Sequence, residues 1–363
     1  MKSLCSALFL CCALLTAPVF GEAPVRLTLS RAELTALWRE RIDSFLAQGV
    51  IPIIDLESSM SRKDGERDLP AALKAMDEAG VALMALDGYQ AETGETGGYR
   101  WGYYIHELVN AHPDRFILAT NGGTNSNWFK GKGGDPRHFM DQTEAQARTG
   151  DYPIMGEFEF RHYMSSSQCK AGRTDRDVTI PMTSPNGQRL FALSRDTGLA
   201  FLVHLEPEDQ SLKELEEMLA AYPGAKVIVC HFGQIRHPDR ESRFSAAYAR
   251  DLLGRFPNLY FDLSVGEPGR HYPCGKVLDT VLWETKGKGQ KGKLKPEYRK
   301  LLGDYSTRFV SGFDFGGGRK ELDRFIPERA ANIRLIIRDL PESAQRDIAY
   351  RNAWKLLTGS DWR

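Results

Sequence analysis

Cysteine is scarce in this chain of 363 residues. Three of its six (Cys5, Cys11, Cys12) fall in the opening segment, and the other three (Cys169, Cys230, Cys274) cannot all pair within one chain. At most one internal disulfide can form, so neither a disulfide scaffold nor a zinc-finger spacing is available and the fold must rest on a core. Net charge is lacking too, with 48 basic and 48 acidic residues and no long basic face with interleaved aromatics. A nucleic-acid partner therefore has no argument. No G-x-G-x-x-G follows any apolar run, which speaks against a dinucleotide site. The glycine-rich stretches 95–98 and 130–134 lack the lysine-serine ending of a phosphate loop and read as flexible rims. Beyond the first twenty residues no apolar run reaches membrane-spanning length, so the mature chain is expected without a transmembrane segment.

That opening segment has Lys2 ahead of an apolar run over 4–17, then Val19-Phe20-Gly21 as a small-residue cleavage site. It reads as a signal peptide over 1–21, and the protein as exported, periplasmic or secreted. An extension with a helix comes next over 22–50, opened by the capping-box pattern of Ser30 and Glu33. This helix is expected to lie over the closed end of the domain that begins at residue 51.

Residues 51–363 repeat one rhythm. Short apolar runs occur as IPIIDLE (51–57), GVALMALD (80–87), RFILATN (115–121), YPIMGEFEF (152–160), LAFLVHLE (199–206), KVIVCH (226–231), LYFDLS (259–264) and RFVSGFD (308–314). Helical patterns separate them. Near-continuous apolar strands alternating with helices imply a parallel sheet, and eight such units imply an α/β fold of the TIM-like (β/α)8 barrel type.

Each run ends in something polar: Glu57, Asp87, Asn121, Glu157, His204, His231, Ser264, Asp314. In a barrel these ends share one open face. His204 and His231 each follow an apolar strand, where an imidazole is either a hydrogen-bonded core group or a ligand. Two on adjacent strands, with carboxylates ending strands one, four and eight, favour a cation site of mixed nitrogen and oxygen donors. Asp55 and Glu57 pose a cost, because two carboxylates directed into a barrel need a cation or an arginine. Glu57, nearer the open end, is the metal contact in this reading and Asp55 a support. Glu157 is the ligand of its pair, with Glu159 left to Arg161 or Arg173.

The order of these residues resembles the amidohydrolase superfamily, in its amidohydrolase-related branch of TIM-barrel metal enzymes. The likeness runs over about residues 51–357, through IIDLE (53–57), HPDRFI (112–117), the Val203-His204 and His231-Phe232-Gly233 pieces, NLYFD (258–262), RFVSGFDF (308–315) and RNAWKLL (351–357). It implies hydrolysis of amides, esters or lactones, or in a minority of members non-oxidative decarboxylation, with one or two divalent cations at the barrel mouth. His204 and His231 match the strand-five and strand-six histidine ligands. Asp314 matches the strand-eight aspartate that binds metal and shuttles the proton.

The first strand departs from the family pattern: the usual histidine pair separated by one residue is here Glu57 and Ser59. A glutamate there occurs among the decarboxylases, which makes that class the second reading, and a serine is a poor ligand. The expected site is thus one divalent ion, zinc first, with manganese, iron or nickel as alternatives, held by Glu57, Glu157, His204, His231 and Asp314. Asp314 and His231 are expected in catalysis. Arg161, His162, Tyr163 and Arg173 on the rim are expected to bind a small, anionic or sugar-like substrate. Tyr89, Tyr99 and Trp101 are read as a stacking wall or as loop packing, and 286–300 as a solvated lysine-glycine insertion. A small-molecule-binding barrel without catalysis is the remaining reading, and the oligomeric state is left open.

Overall fold

The computed structural model describes residues 26–60, 62–87, 92–93, 99–100, 104–122, 127–130, 136–236, 242–275, 277–284, 292–315 and 321–363. The leader, Tyr89, Trp101 and the first half of the lysine-glycine stretch lie outside these, as does the side chain of Tyr99.

The eight apolar runs form strands β1 (Ile53–Ser59), β2 (Val81–Asp87), β3 (Phe116–Leu118), β4 (Ile154–His162), β5 (Ala200–Leu205), β6 (Lys226–Val229), β7 (Leu259–Asp262) and β8 (Phe309–Val310). Consecutive strands pair in parallel, β1 to β3 in one arc and β4 to β8 in the other. Isolated parallel bridges, Ala119 to Ile154 and Ser58 to Phe315, span the two gaps between the arcs. The architecture is therefore α/β and TIM-like, with full ladders inside each arc and single bridges at two seams.

Each seam is made by polar groups that the strands themselves supply. At β8 and β1, Phe313 N donates to Asp55 Oδ1 at 2.9 Å, Asp314 N to Glu57 O at 2.8 Å and Leu56 N to Ser311 O at 3.2 Å. At β3 and β4, Gly156 N donates to the Thr120 hydroxyl at 3.1 Å. A Cβ at residue 156 would lie 2.7 Å from Thr120 O, so only glycine allows this approach.

Helices cover the outside, among them Arg62–Ala79, Pro185–Thr197, Asp209–Ala221 and Leu322–Ile337. Local chemistry sets their ends. Pro185–Thr197, for example, starts behind Ser184, whose hydroxyl accepts from Gly187 N, has Pro185 in its first turn, and stops at Gly198 with φ of 73°. The expected helix before the barrel is Arg31–Ala47, with the Ser30–Glu33 capping box present and Leu34, Trp38, Ile42 and Phe45 buried in the same core as the strands. Trp38 Nε1 donates to Pro113 O and Arg41 Nε to Ala82 O. Both acceptors lie where strands start, so the helix does close the end opposite the polar face.

The second half of the lysine-glycine insertion differs from the expectation. Lys295 precedes a helix over Pro296–Asp304 that buries Tyr298, Leu301 and Leu302. The proline at its start and the spacing of those apolar residues outweigh the lysines.

Of the three later cysteines Cys169 pairs with Cys274, and Cys230 remains a buried thiol. The bond joins the segment after β4 to the one after β7, where Tyr272 Oη also donates to Met164 O at 2.6 Å. The two cysteines stand 105 residues apart. Loop-closure entropy for that separation is about 4–5 kcal/mol, and the net stabilisation of such a crosslink is typically about 2–4 kcal/mol. Cys169→Ser and Cys274→Ser should each lower urea-unfolding stability by that amount, and by the same amount as reductant. Midpoints indifferent to both would show that the crosslink contributes nothing.

Candidate metal centre at the open face

Four strand ends converge. Glu157 on β4, His204 on β5 and His231 just beyond β6 have ligand-capable atoms all within 4.8 Å of one another. His204 Nδ1 lies 2.8 Å from Glu157 Oε1 and 3.0 Å from His231 Nε2. His231 Nε2 in turn stands 3.3 Å from Glu157 Oε1 and 3.3 Å from Glu57 Oε1 on β1. Glu57 is 4% exposed, and neither of its carboxylate oxygens has a hydrogen-bond partner among the described residues. A buried carboxylate in that condition is costly unless a cation answers it.

The imidazoles are aimed rather than merely present. His231 Nδ1 faces Ser264 O at 3.0 Å and the Ser264 hydroxyl at 2.7 Å, and its backbone N–H donates to Asp262 Oδ1 at 2.8 Å. A carbonyl partner makes Nδ1 the donor, which leaves the Nε2 lone pair toward Glu57 and Glu157. His204 has Glu206 Oε1 3.7 Å from its Nε2, and Glu206 is itself approached by Gln234 and Arg236.

Backbone conformation supports the same point. Among the described residues only His231 (φ 58°), Asp314 (φ 50°) and Glu321 are non-glycine residues with positive φ. Two of the three are site residues where a strand has just ended. Such conformations cost about 1–3 kcal/mol each and persist only where surroundings impose them. Asp314 lines the same cavity and its charge bears on both Glu57 and His231, though it stands outside the tight group of three.

The electrostatics are those of acids crowded together. Burial drives the Glu57 carboxyl well above the usual range, and the charges of Asp262, Glu157 and Asp314 push it the same way. Burial would raise Glu157 as well, but the charge and hydrogen bond of His204, joined by His231, overcome it and hold that carboxyl well below the usual range. Burial would lower His204; Glu157 and Glu206 instead raise it to about 10. Without a cation, then, burial and charge favour a proton on Glu57 and on His204, where a cation's charge would serve the same end.

The surrounding cavity measures about 330 Å³ and is lined by Glu57, Asp87, Glu157, Glu159 and Asp314 against Arg176 and Arg236, with His162 and Gln168 on its wall. Asp55 is fully buried beneath it, accepting from Glu57 N, the Ser58 hydroxyl and Phe313 N. It supports the strand, and Ser59 turns its hydroxyl to Phe315 O.

The rim departs from the sequence reading. Of Arg161, His162, Tyr163 and Arg173, only His162 lines the cavity. Arg161 is buried against Asp177 and Glu208, with its guanidinium 4.1 Å from the Tyr163 ring, while the Tyr163 hydroxyl donates to Glu208. Arg173 is exposed and paired with Asp175. The partner of Glu159 is Arg176, not Arg161 or Arg173, because the antiparallel pairing of 161–162 with 178–179 folds Arg176 back over β4.

Residues 133–286 match the Amidohydrolase family model. Over that span, a little over two fifths of the chain, the sequence is similar to the amidohydrolase family. The matched span contains Glu157, His204 and His231 and stops short of Asp314, with Glu57 lying before it. Among curated proteins none matches. Solved structures similar to this chain include 2,6-dihydroxybenzoate decarboxylase from Rhizobium (11% identity, TM-score 0.48, covering 84% of this chain and 98% of that one). A dihydroxybenzoic acid decarboxylase from Polaromonas with bound manganese and 2-nitroresorcinol has 12% identity and TM-score 0.46, covering 84% and 96%. Amidohydrolase 2 from Bifidobacterium longum has 14% identity and TM-score 0.42, covering 84% and 98%.

The sequence reading places Ser264 and Glu206 on the open face without a role and does not single out Asp262, Arg176 or Arg236. A signal existed for Asp262, which lies two residues before Ser264 in the LYFDLS run.

Cation uptake must compete with protons at Glu57 and His204. Burial and neighbouring acids raise Glu57, and Glu157 and Glu206 raise His204 to about 10, so a proton competes with the cation at both groups and affinity should strengthen as pH rises. Calorimetric titration of metal-free protein with zinc, in buffers of differing ionisation enthalpy, should give about one to two protons released per cation near pH 7. Buffer-independent enthalpies would contradict this charge arrangement.

Proposed function

We propose that this chain is an exported, metal-dependent hydrolase of a small ester, lactone or amide. One divalent ion, zinc first, would be held by Glu57, Glu157, His204 and His231 with Asp314 beside them. The observation that carries the reading is the convergence of Glu157, His204 and His231 within 4.8 Å next to a Glu57 carboxylate with no hydrogen-bond partner among the described residues. A bound ion supplies a water of lowered pKa and a polarised substrate carbonyl.

The protein's own groups do the rest. Asp314 takes the proton of the attacking water and returns it to the leaving oxygen or nitrogen, as a general base and then acid at one carboxylate. His231, with Nδ1 fixed by Ser264, keeps its Nε2 lone pair directed inward. Glu157 holds the His204 ring at Nδ1, and Glu206 stands 3.7 Å from its Nε2. The cavity of about 330 Å³ admits a small molecule, and His162, Gln168 and Arg236 on its wall are the groups offered for substrate polar atoms. Export is supported by the leader pattern and by the Cys169–Cys274 disulfide, a bond favoured outside the cytosol.

Decarboxylation is the second reading, favoured by one feature: a glutamate at 57 in place of the first histidine of the family pair. There the same site would chelate a carboxylate and an adjacent hydroxyl, and an acid would protonate the carbon that loses carbon dioxide.

Asp314→Asn should keep fold and metal content while lowering kcat/KM by about 10²–10⁴. Wild-type turnover in that variant would remove the proton-shuttle role. Products decide between the chemistries: a new carboxylate with an alcohol or amine supports hydrolysis, and carbon dioxide from a hydroxybenzoate supports the alternative.

A further inference from the structure

A second group of ligand-capable atoms lies behind the first. Glu57, Cys230 and Asp262 bring a carboxylate oxygen, the thiol sulfur and another carboxylate oxygen within 4.8 Å of one another. All three side chains are cut off from solvent, at 4%, 1% and 0% exposure. They come from β1, from the residue after β6 and from the end of β7.

Two of the three present buried carboxylate oxygens that face one another and receive no hydrogen bond from an N–H or O–H group of the described residues. Asp262 Oδ1 is saturated, accepting from His231 N at 2.8 Å, Ser264 N at 3.0 Å and the Ser264 hydroxyl at 2.7 Å. Its other oxygen, Oδ2, has no hydrogen-bond partner among the described residues, and neither has Glu57 Oε2. Those two oxygens face the same neighbour: a Cβ at residue 312 would lie 2.9 Å from Asp262 Oδ2 and 3.0 Å from Glu57 Oε2, a place left clear by glycine. Glu57 Oε1 meanwhile stands 3.3 Å from His231 Nε2 on the other side. One carboxylate thus presents one oxygen to each group. The Cys230 sulfur approaches Ile228 O at 3.9 Å and also interacts with the Asp262 carboxylate.

We propose that Glu57, Cys230 and Asp262 form a second divalent-cation site, with Glu57 bridging it to the first. A thiol with two carboxylates selects a thiophilic ion of the zinc or cobalt kind over magnesium or calcium. On binding, the Cys230 thiol gives its proton to solvent and the thiolate becomes the ligand; no oxidation is involved. The charge balance gives the site its reason. Buried acids at this end of the barrel outnumber the two arginines of the cavity, and a single ion leaves Asp262 and the inner face of Glu57 unanswered. The competing answer is a proton shared by Glu57 and Asp262, which needs no metal.

The inference concerns occupancy and does not rest on hydrolysis, although it shares Glu57 with the first site. The test is equilibrium dialysis of metal-stripped, disulfide-intact full-length protein against cobalt(II), with absorption spectra of the loaded form. The proposal expects two equivalents and a thiolate-to-cobalt charge-transfer band in the near ultraviolet. Cys230→Ser should lose one equivalent and the whole band. If that variant fails to fold, the wild-type stoichiometry and spectrum still decide. One equivalent without the band overturns the second site and leaves the first standing. A band that survives in Cys230→Ser belongs to another sulfur and overturns it too. No bound cobalt overturns both sites.

Discussion

Electrostatic compensation governs the open end of this barrel. Asp55, Glu57, Glu159, Glu206 and Asp262 are all nearly inaccessible to solvent, and Glu157 and Asp314 stand among them. Carboxylates so placed must be hydrogen-bonded, paired, protonated or bound to a cation. The protein distributes these answers unevenly. Asp55 has backbone donors, Glu159 has Arg176, and Glu206 has Arg236 and Gln234. Glu57 has only neighbours of its own charge and the imidazole of His231. The least compensated acid is thus the one on which the cation proposal turns.

The same end is mechanically specified. His231 and Asp314 sit in a backbone conformation that other side chains avoid, and each is tied by main-chain groups: His231 N to Asp262, Asp314 N to Glu57 O. Strain at these two positions is opposed by contacts between strands far apart in sequence. Arg161, which looked like a substrate group, works within this framework by joining Asp177 to Glu208 beneath the Tyr163 ring.

The barrel was legible because its strands are short, apolar and regularly spaced, and because their polar residues fall at one end of each run. His204 and His231 could be seen to be neighbours, since strands five and six adjoin. The rim could not be read in the same way. Whether Arg161 or Arg176 meets Glu159 depends on how the 163–177 segment doubles back, and no local periodicity encodes that path. Asp262 escaped for a different reason: its main partner is a backbone amide of another strand, and main-chain partners leave no mark in the side-chain sequence. Lys295 to Lys300 misled in the opposite direction, because their charge hid the apolar face of a helix.

Closure and chemistry share atoms at the seam between the first strand and the last. Asp55 receives Phe313 N from 258 residues further along, and Glu57 lends its carbonyl to Asp314. A nascent chain therefore carries its glutamate long before anything can turn that group toward the histidines. Partly synthesised or partly unfolded forms are inert by construction, and the centre comes into being only when the ring is completed.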